Sequence, residues 1–342
     1  MIPYTEATDK LIVSKEDLQF VETGAYICLE AIKPDCAQDD FSFPDGLVDR
    51  MVDAAYLRNE ALNEMERKAI NRTMPVLNYY SIIEYGSYAY AGYQGTEKDI
   101  TVGNRVVNIG KGCFRESFID SITFNGRLSM LPNDLLLGSY VKTVNFTNTL
   151  ALPGVTGNSV FESCHQLKTL TLPSNLQKIS SRFCYNCVSL EGISFPSASG
   201  IIEDYAFYGC AKIPSVSIPR NVTRIGSYTF ANCTGLTSVS IGLDSYLTMI
   251  DDHAFKSCSS LTSIRIPAGV TDIGTYAFNG CSSMTEMYFM SSTPPLLGSS
   301  YALPYQNANL KIYIPAGSLE AYQTAQYWKL SSIKNKLVEM ET

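Results

Sequence analysis

The sequence predicts a β-rich solenoid of coils about 23 residues long, each supplying one short strand and a turn or short helical piece. A small helical domain precedes the array and a capping helix closes it. Three observations carry this reading. LPSNLQKISSRFCYNCVSLEGISFP, IPRNVTRIGSYTFANCTGLTSVSIG and IPAGVTDIGTYAFNGCSSMTEMYFM align column by column. The units close at Pro173, Pro196, Pro219, Gly242, Pro267, Met290 and Pro315, at spacings of 23, 23, 23, 25, 23 and 25 residues, each 25 marking an insertion. Finally, every unit ends in an alternation of the form L-x-x-I-x-I, which sends its apolar side chains to one face of a strand.

Taken in order, residues 1–97 form the helical domain with a Tyr-rich connector, 98–314 the solenoid, and 315–342 the cap. Ser14 with Asp17 reads as a capping box. Leu18, Val21, Ala25, Cys28 and Ile32 then recur at helical spacing up to Pro34, with Gly24 a point where this helix can break. A longer helix is expected from near Asp45 to near Pro75, with Met51, Ala55, Leu62, Met65 and Ala69 on one stripe widened by Leu47, Val48 and Val52. These helices either cap the open end of the solenoid or use the stripe for oligomerisation or docking to a larger assembly. Residues 76–97 then crowd Tyr79, Tyr80, Tyr85, Tyr88, Tyr90 and Tyr93 together. They are either a β-rich connector packing on the first coil or a protein–protein contact surface.

Degenerate coils follow, with strands at DSITF (Asp120 to Phe124) and KTVNF (Lys142 to Phe146); regular coils begin near residue 153. In them Val239 and Ile241 point inward and Ser240 outward. A second inward pair precedes each strand, as at Val222 and Ile225, Leu247 and Ile250, or Val270 and Ile273. Between the two pairs, SYTFANC or TYAFNGC places Phe230 or Phe278 in the core. Cys164, Cys187, Cys210, Cys233, Cys258 and Cys281 form one column and are expected to be reduced core thiols, because stacked coils hold their side chains parallel and ill-aimed for bridging. Cys184 and Cys187 make a CxxC, yet Cys184 occupies the column of Phe161, Phe207, Phe230, Phe255 and Phe278, so it reads as a core substitution. After Pro315, SLEAYQTAQYWKL forms an amphipathic helix with Leu319, Tyr322, Ala325 and Trp328, expected to close the last coil. Ile333, Leu337 and Val338 suggest a last strand or turn.

These columns resemble the BspA-like class of leucine-rich repeat proteins. The resemblance rests on the IP ending, on Val222, Thr223, Ile225 and Gly226, on Tyr276, Phe278 and Cys281, on the strand from Leu261 to Ile264, and on the closing segment TPPLLGSS…IYIPAGSLEAYQTAQYW. It covers about residues 99 to 337 and is strongest from 153 onward. It implies a leucine-rich-repeat solenoid used for adhesion or partner binding on the surface of gut or oral anaerobes.

Charge and composition exclude several classes. Residues 1–97 carry 8 Lys or Arg against 17 Asp or Glu, a net of −9, while residues 98–342 carry 18 against 16, a net of +2. Neither part offers the basic stripe that nucleic acid requires. No apolar run approaches the roughly 20 residues of a membrane span. The start, MIPYTEATDKLIVSKEDL, lacks the charged and apolar regions of a secretory signal, which departs from what the resemblance implies. The expectation is that a signal was removed or that the protein travels by another route, such as a virion released by lysis. Ten cysteines without a framework spacing fit a reducing or anaerobic setting.

Catalytic constellations are lacking: there is no GxSxG, P-loop or paired histidine, so no enzyme, metal or cofactor is expected. His253 stands in the column of Tyr205, Tyr228 and Tyr276 and reads as a variant surface residue, His165 follows Cys164 towards the strand, and Asp251 with Asp252 reads as a solvated turn. Binding is the better-supported function. Outward strand positions line one sheet face: Lys168, Thr169 and Thr171; Glu191, Gly192 and Ser194; Pro214, Ser215 and Ser217; Thr237, Ser238 and Ser240; Thr262, Ser263 and Arg265; Thr285, Glu286 and Tyr288. The middle is small and hydroxyl-rich, and Arg265, Glu286 and Tyr288 at the C-terminal end have hot-spot character. Two function classes fit. One is an adhesin-like module binding a protein or glycan on a host or cell surface. The other is a structural virion component, a phage tail or head attachment protein docked through residues 1–97.

Overall fold

Alternating apolar residues form a strand face that is stable only when covered, and a coil of about 23 residues cannot cover its own. Stacking solves this. The computed structural model describes residues 98–341 apart from 103–108, 110, 126–127, 129 and 148–155, together with two short antiparallel strands, β1 (Tyr4–Thr5) and β2 (Lys10–Leu11). The two expected N-terminal helices and the Tyr-rich stretch lie outside the described residues. From residue 99 the chain winds into a parallel β-solenoid of about 10 turns.

Two walls of parallel strands enclose the core. One wall is built from β3 (Asp99–Val102), β4 (Ser121–Phe124), β5 (Thr143–Phe146) and β6 (Thr169–Thr171), in that order. It resumes with β9 (Ser215–Ile218), β11 (Ser238–Ile241), β13 (Ser263–Ile266), β15 (Glu286–Phe289), β17 (Lys311–Ile314) and β18 (Leu337–Glu339). The opposite wall consists of two-residue strands: β7 (Lys178–Ile179), β8 (Ile201–Ile202), β10 (Arg224–Ile225), β12 (Met249–Ile250), β14 (Asp272–Ile273) and β16 (Leu296–Leu297). One continuous core runs from Ile100 to Ile333. The degenerate coils stack in the same register as the regular ones, Ile100 on Ile122 on Val144 on Leu170.

The Phe-to-Cys segment of each coil is a pair of tight turns with no helix. The Cys column does more than fill space. Each thiol donates to the carbonyl of a Phe-column residue in the preceding coil: Cys187 to Phe161, Cys210 to Cys184, Cys233 to Phe207, Cys258 to Phe230 and Cys281 to Phe255, at 3.0 to 3.2 Å. Upstream, buried Ser139 stands in the same column but bonds within it, its hydroxyl 2.9 Å from that of Ser117 and 3.2 Å from Ser117 O. All eight described cysteines are free and buried. Burial pushes the Cys233 and Cys281 thiols up to about 12, so they stay protonated donors.

One coil departs from the rest. Phe183 stands where the following coils carry Ala206, Thr229, Ala254 and Ala277, and Cys184 stands where they carry Phe. The large and small side chains have exchanged places. The Phe183 ring meets Phe161 edge-on at 5.0 Å, while Phe195, in the column of Leu172 and Ile218, meets Phe207 at 5.3 Å. Two rings where neighbours carry Ala and Ile wedge this coil, and Gly192 adds no strand preference. Residues 191–196 carry no strand, and the long-strand wall splits there, although β7 and β8 stay paired opposite.

The C-terminal cap closes the core with rings. Helix α1 (Leu319–Thr324) is shorter than the sequence suggests, and Trp328 lies beyond it in a turn. Tyr322 and Trp328 pack perpendicular at 4.8 Å, and Phe289 meets Trp328 edge-on at 5.0 Å. Their polar ends are satisfied: Trp328 Nε1 donates to Pro295 O at 2.9 Å and the Tyr322 hydroxyl to Ser291 O at 2.8 Å. Helix α2 (Ser331–Lys334) buries Ile333 and leads into β18; of the strand or turn expected here, Leu337 and Val338 form the strand.

Two outcomes follow. Phe183→Ala is expected to cost about 3–5 kcal/mol by leaving a cavity, and Cys184→Phe about 1–3 kcal/mol by overpacking. The double variant, which restores the Ala–Phe order of the other coils, should be more stable than the sum by at least about 1 kcal/mol in a denaturation cycle. Thiol titration of the native protein should detect at most two of the ten cysteines, and all ten after unfolding, since eight are buried.

Candidate recognition surface

Parallel in-register stacking turns each outward strand position into a column along the solenoid axis. On the long-strand wall one column reads Ser215, Ser238, Ser263, Glu286 and Lys311. The next pairs Ser217 with Ser240, and Arg265 with Tyr288, Tyr313 and Val338. The serine half is flat and self-similar. The C-terminal half is a built cluster.

Three residues expected to carry recognition meet there. The Arg265 guanidinium lies 4.5 Å above the Tyr288 ring, and the Tyr288 hydroxyl donates to Glu286 Oε2 at 3.0 Å. Burial and that bond raise the phenol above its ordinary value, so it remains a donor. On its far side Tyr288 stacks on Tyr313 at 4.6 Å and 10°, and Glu286 stands opposite Lys311 in register. Tyr313 and Lys311 belong to the same surface, although KIYIP read only as part of the closing segment. The stack Arg265–Tyr288–Tyr313 fixes three long side chains before any partner arrives, which lowers the entropy lost on binding.

The remaining expected positions do not join one face. Ser217 and Ser240 share the six-stranded sheet with the cluster, but Lys168 and Thr171 lie at β6, in the four-stranded sheet. Thr171 donates to Asn145 Oδ1 at 3.3 Å. Ser194 is exposed on the strandless segment between the two sheets. The single face expected from the repeat is therefore two patches, divided by the wedged coil. Tyr79, Tyr80, Tyr85, Tyr88 and Tyr90 lie outside the described residues.

A second feature went unread as a site. Tyr205, Tyr228, His253, Tyr276 and Tyr301 form a continuous ring ladder, with centroid spacings of 4.7, 4.3, 5.2 and 5.2 Å. Four members sit in left-handed backbone, at φ of 60°, 57°, 59° and 58° for Tyr205, Tyr228, His253 and Tyr276. That conformation is unfavourable for bulky side chains, and the equivalent left-handed site before each Cys uses Asn186, Gly209, Asn232, Ser257 and Gly280. Ring stacking offsets the strain, each aromatic pair contributing about 0.5–1.5 kcal/mol. His253 is a variant member of the Tyr column, half-buried like its neighbours and stacked between two tyrosines, with Nδ1 buried. Burial, then the Lys256 ammonium, hold its imidazole below the ordinary 6.5 against the opposing pull of Asp252.

Asp251 and Asp252 are likewise structural. Asp251 pairs with Arg224, which also holds Asp204 at 3.2 Å. Asp252 Oδ1 accepts the Thr275 N–H at 2.5 Å, as Asp204 Oδ1 accepts that of Ser227 at 2.9 Å. Gly274 is needed beneath this cap, because a Cβ there would overlap the backbone N of Asp252. His165 is exposed, its Nδ1 3.0 Å from Asn186 O. Among the described residues no three His, Cys, Asp or Glu side chains converge as a metal site, and no helix is long and apolar enough to cross a membrane.

The profile of the BspA type leucine rich repeat region matches the chain in six copies, over residues 83–212 and 200–325. A leucine rich cell surface protein from Faecalibacterium prausnitzii A2-165 is similar at 17% identity, across 74% of this chain and 90% of that one, with a TM-score of 0.36. The leucine rich repeat protein of T. pallidum is similar at 20% identity, across 63% and 82%, with a TM-score of 0.35. A leucine-rich repeat protein from Eubacterium ventriosum is similar at 16% identity, across 71% and 72%, with a TM-score of 0.40. No curated protein matches the chain.

His253 predicts a pH dependence. Its folded-state affinity for protons is depressed, so the stability held by the neutral ring is complete above the ordinary 6.5 and is lost as pH falls through the folded value. Between about pH 7.5 and 5 the natural protein should lose more melting temperature than His253→Tyr, which completes the tyrosine ladder without a titrating group. Parallel curves for the two proteins would refute this.

Proposed function

The chain belongs to the BspA-type leucine-rich repeat family, and from that premise we propose that it is a non-catalytic recognition or adhesion protein. Its partner is a macromolecule, a protein or glycan displayed on a host or cell surface, and the chain itself acts outside the cell. The contact is centred on Arg265, Glu286, Tyr288 and Tyr313, with Lys311 and the serine columns as its surround. The observation that carries this reading is the stack of Arg265 on Tyr288 on Tyr313 on an exposed strand face. Arg and Tyr dominate interface energetics, and these are held in one arrangement by neighbours in the same sheet. The chemistry of the patch, with both charge signs and ring surface, suits a folded protein or a mixed-polarity glycan better than a polyanion.

The test is binding of the full chain to arrayed glycans and to extracted surface proteins, with variants as the control. Arg265→Ala and Tyr288→Phe should each weaken binding: the first removes the cation, the second only the hydroxyl bond to Glu286. Arg265→Ala is expected to cost about 2 kcal/mol, near a thirtyfold loss of affinity, with the melting temperature unchanged. A ligand whose affinity is indifferent to Arg265, Glu286 and Tyr288 would place recognition elsewhere.

A further inference from the structure

The short-strand wall offers a face that this recognition reading leaves unused. Strands β7, β8, β10, β12, β14 and β16 each turn one residue outward, in register: Lys178, Ile201, Arg224, Met249, Asp272 and Leu296. Charged and apolar members alternate without exception. Ile201, Met249 and Leu296 are 38%, 37% and 68% exposed, in a solenoid whose other outward strand positions are largely Ser and Thr. Beside them run Thr223, Thr248 and Thr271, whose hydroxyls already donate to Gly200 O, Thr223 O and Thr248 O. Covering that row leaves no hydroxyl stranded, so its desolvation is mild. Asp272 accepts from Thr271 Oγ1 and has no cation partner among the described residues. Arg224 holds Asp204 and Asp251 through Nη2 alone, which leaves three of its five donors for a further acceptor.

We propose that this face pairs with the same face of a second copy, in an isologous dimer whose twofold axis runs along β12. Reversing the column about Met249 sets Ile201 against Leu296, Arg224 against Asp272 and Met249 against itself, and symmetry repeats each contact. The alternation tolerates no neighbouring offset. An axis through Arg224 opposes two guanidiniums, and an axis between coils sets charge on apolar side chains. The coil on the proposed axis is also the one lengthened to 25 residues between Gly242 and Pro267. Its extra turn exposes Leu243 by 61% and Tyr246 by 52%. That turn is held rigid by the Ser245 N–H to Gly242 O at 3.0 Å and the Tyr246 N–H to Arg220 O at 2.9 Å. The turn belongs to the same coil as β12, so both copies of it stand at the level of the axis. The contact spans five coils at about 4.8 Å each, so it lies at the small end of specific interfaces, with dissociation on the order of micromolar.

Sedimentation of the full chain across the micromolar range tests this. The expected result is a reversible monomer–dimer equilibrium that Met249→Glu weakens by about tenfold or more, because it sets two carboxylates on the axis. Leu296→Glu and Ile201→Lys should each weaken it alone. Combined in one chain they should restore it, since each introduced ammonium then faces an introduced carboxylate across the interface. All three positions are exposed, so unchanged melting temperatures verify folding. A monomer at every concentration overturns the proposal. So does a dimer indifferent to Met249→Glu, which would assign assembly to another surface, residues 1–97 included, or a double variant that stays as weak as its parents.

Discussion

Every coil is hung on the one before it by hydrogen bonds that run along the solenoid axis, and the rest of the solenoid depends on that register. The bonds reach beyond the strand ladders. In the Phe–Cys turn the N–H of every second residue finds a carbonyl one coil away, as Tyr228 N does at Asp252 O, Phe230 N at Ala254 O and Asn232 N at Lys256 O. A Phe carbonyl such as that of Phe230 accepts twice, from the Cys233 N–H of its own coil and from the Cys258 thiol of the next. Buried carbonyls have two lone pairs to satisfy, and the thiol column supplies the second donor without bringing water inside. That explains why the column from Cys187 to Cys281 is Cys rather than Ala.

The same register makes surfaces. Residues distant in sequence become neighbours because each coil repeats its predecessor one strand spacing away. Arg265, Tyr288 and Tyr313 stack for this reason, as do the tyrosines on either side of His253. The ring ladder shows how far such repetition can override local preference. Tyr and His occupy left-handed backbone that Gly or Asn would adopt with less strain, and stacking on both ring faces compensates. Asp204 and Asp252 cap the N–H groups of Ser227 and Thr275 in the following coils, and the glycines before those residues leave room for the approach.

Because the array is one-dimensional, a local irregularity stays local. The exchange of Phe183 and Cys184 and the bulk of Phe195 open the long-strand wall over one coil, while the short-strand wall continues through it unbroken. The two walls thereby differ in kind. The long-strand wall is divided, with the polar and aromatic cluster confined to its C-terminal part, whereas the short-strand wall carries one uninterrupted alternating column.

The sequence by itself determined the architecture: the period, the inward columns, the reduced thiols, and the placement of Tyr322 and Trp328 over the last coil all follow from spacing, because a repeated apolar pattern has one economical way to be buried. It also singled out Arg265, Glu286 and Tyr288, since outward positions in a strand alternate predictably. It did not show the thiol bonds, the stacking of His253, the pairing of Asp251 with Arg224, the membership of Tyr313 and Lys311, or the break at residues 191–196. Those are contacts between coils, and a column of letters records which residues align without recording how far apart the backbones stand or which atoms meet. Only the tertiary structure decided them, because side-chain volume at Phe183 and Phe195, summed over neighbouring coils, sets where the walls close and where they part.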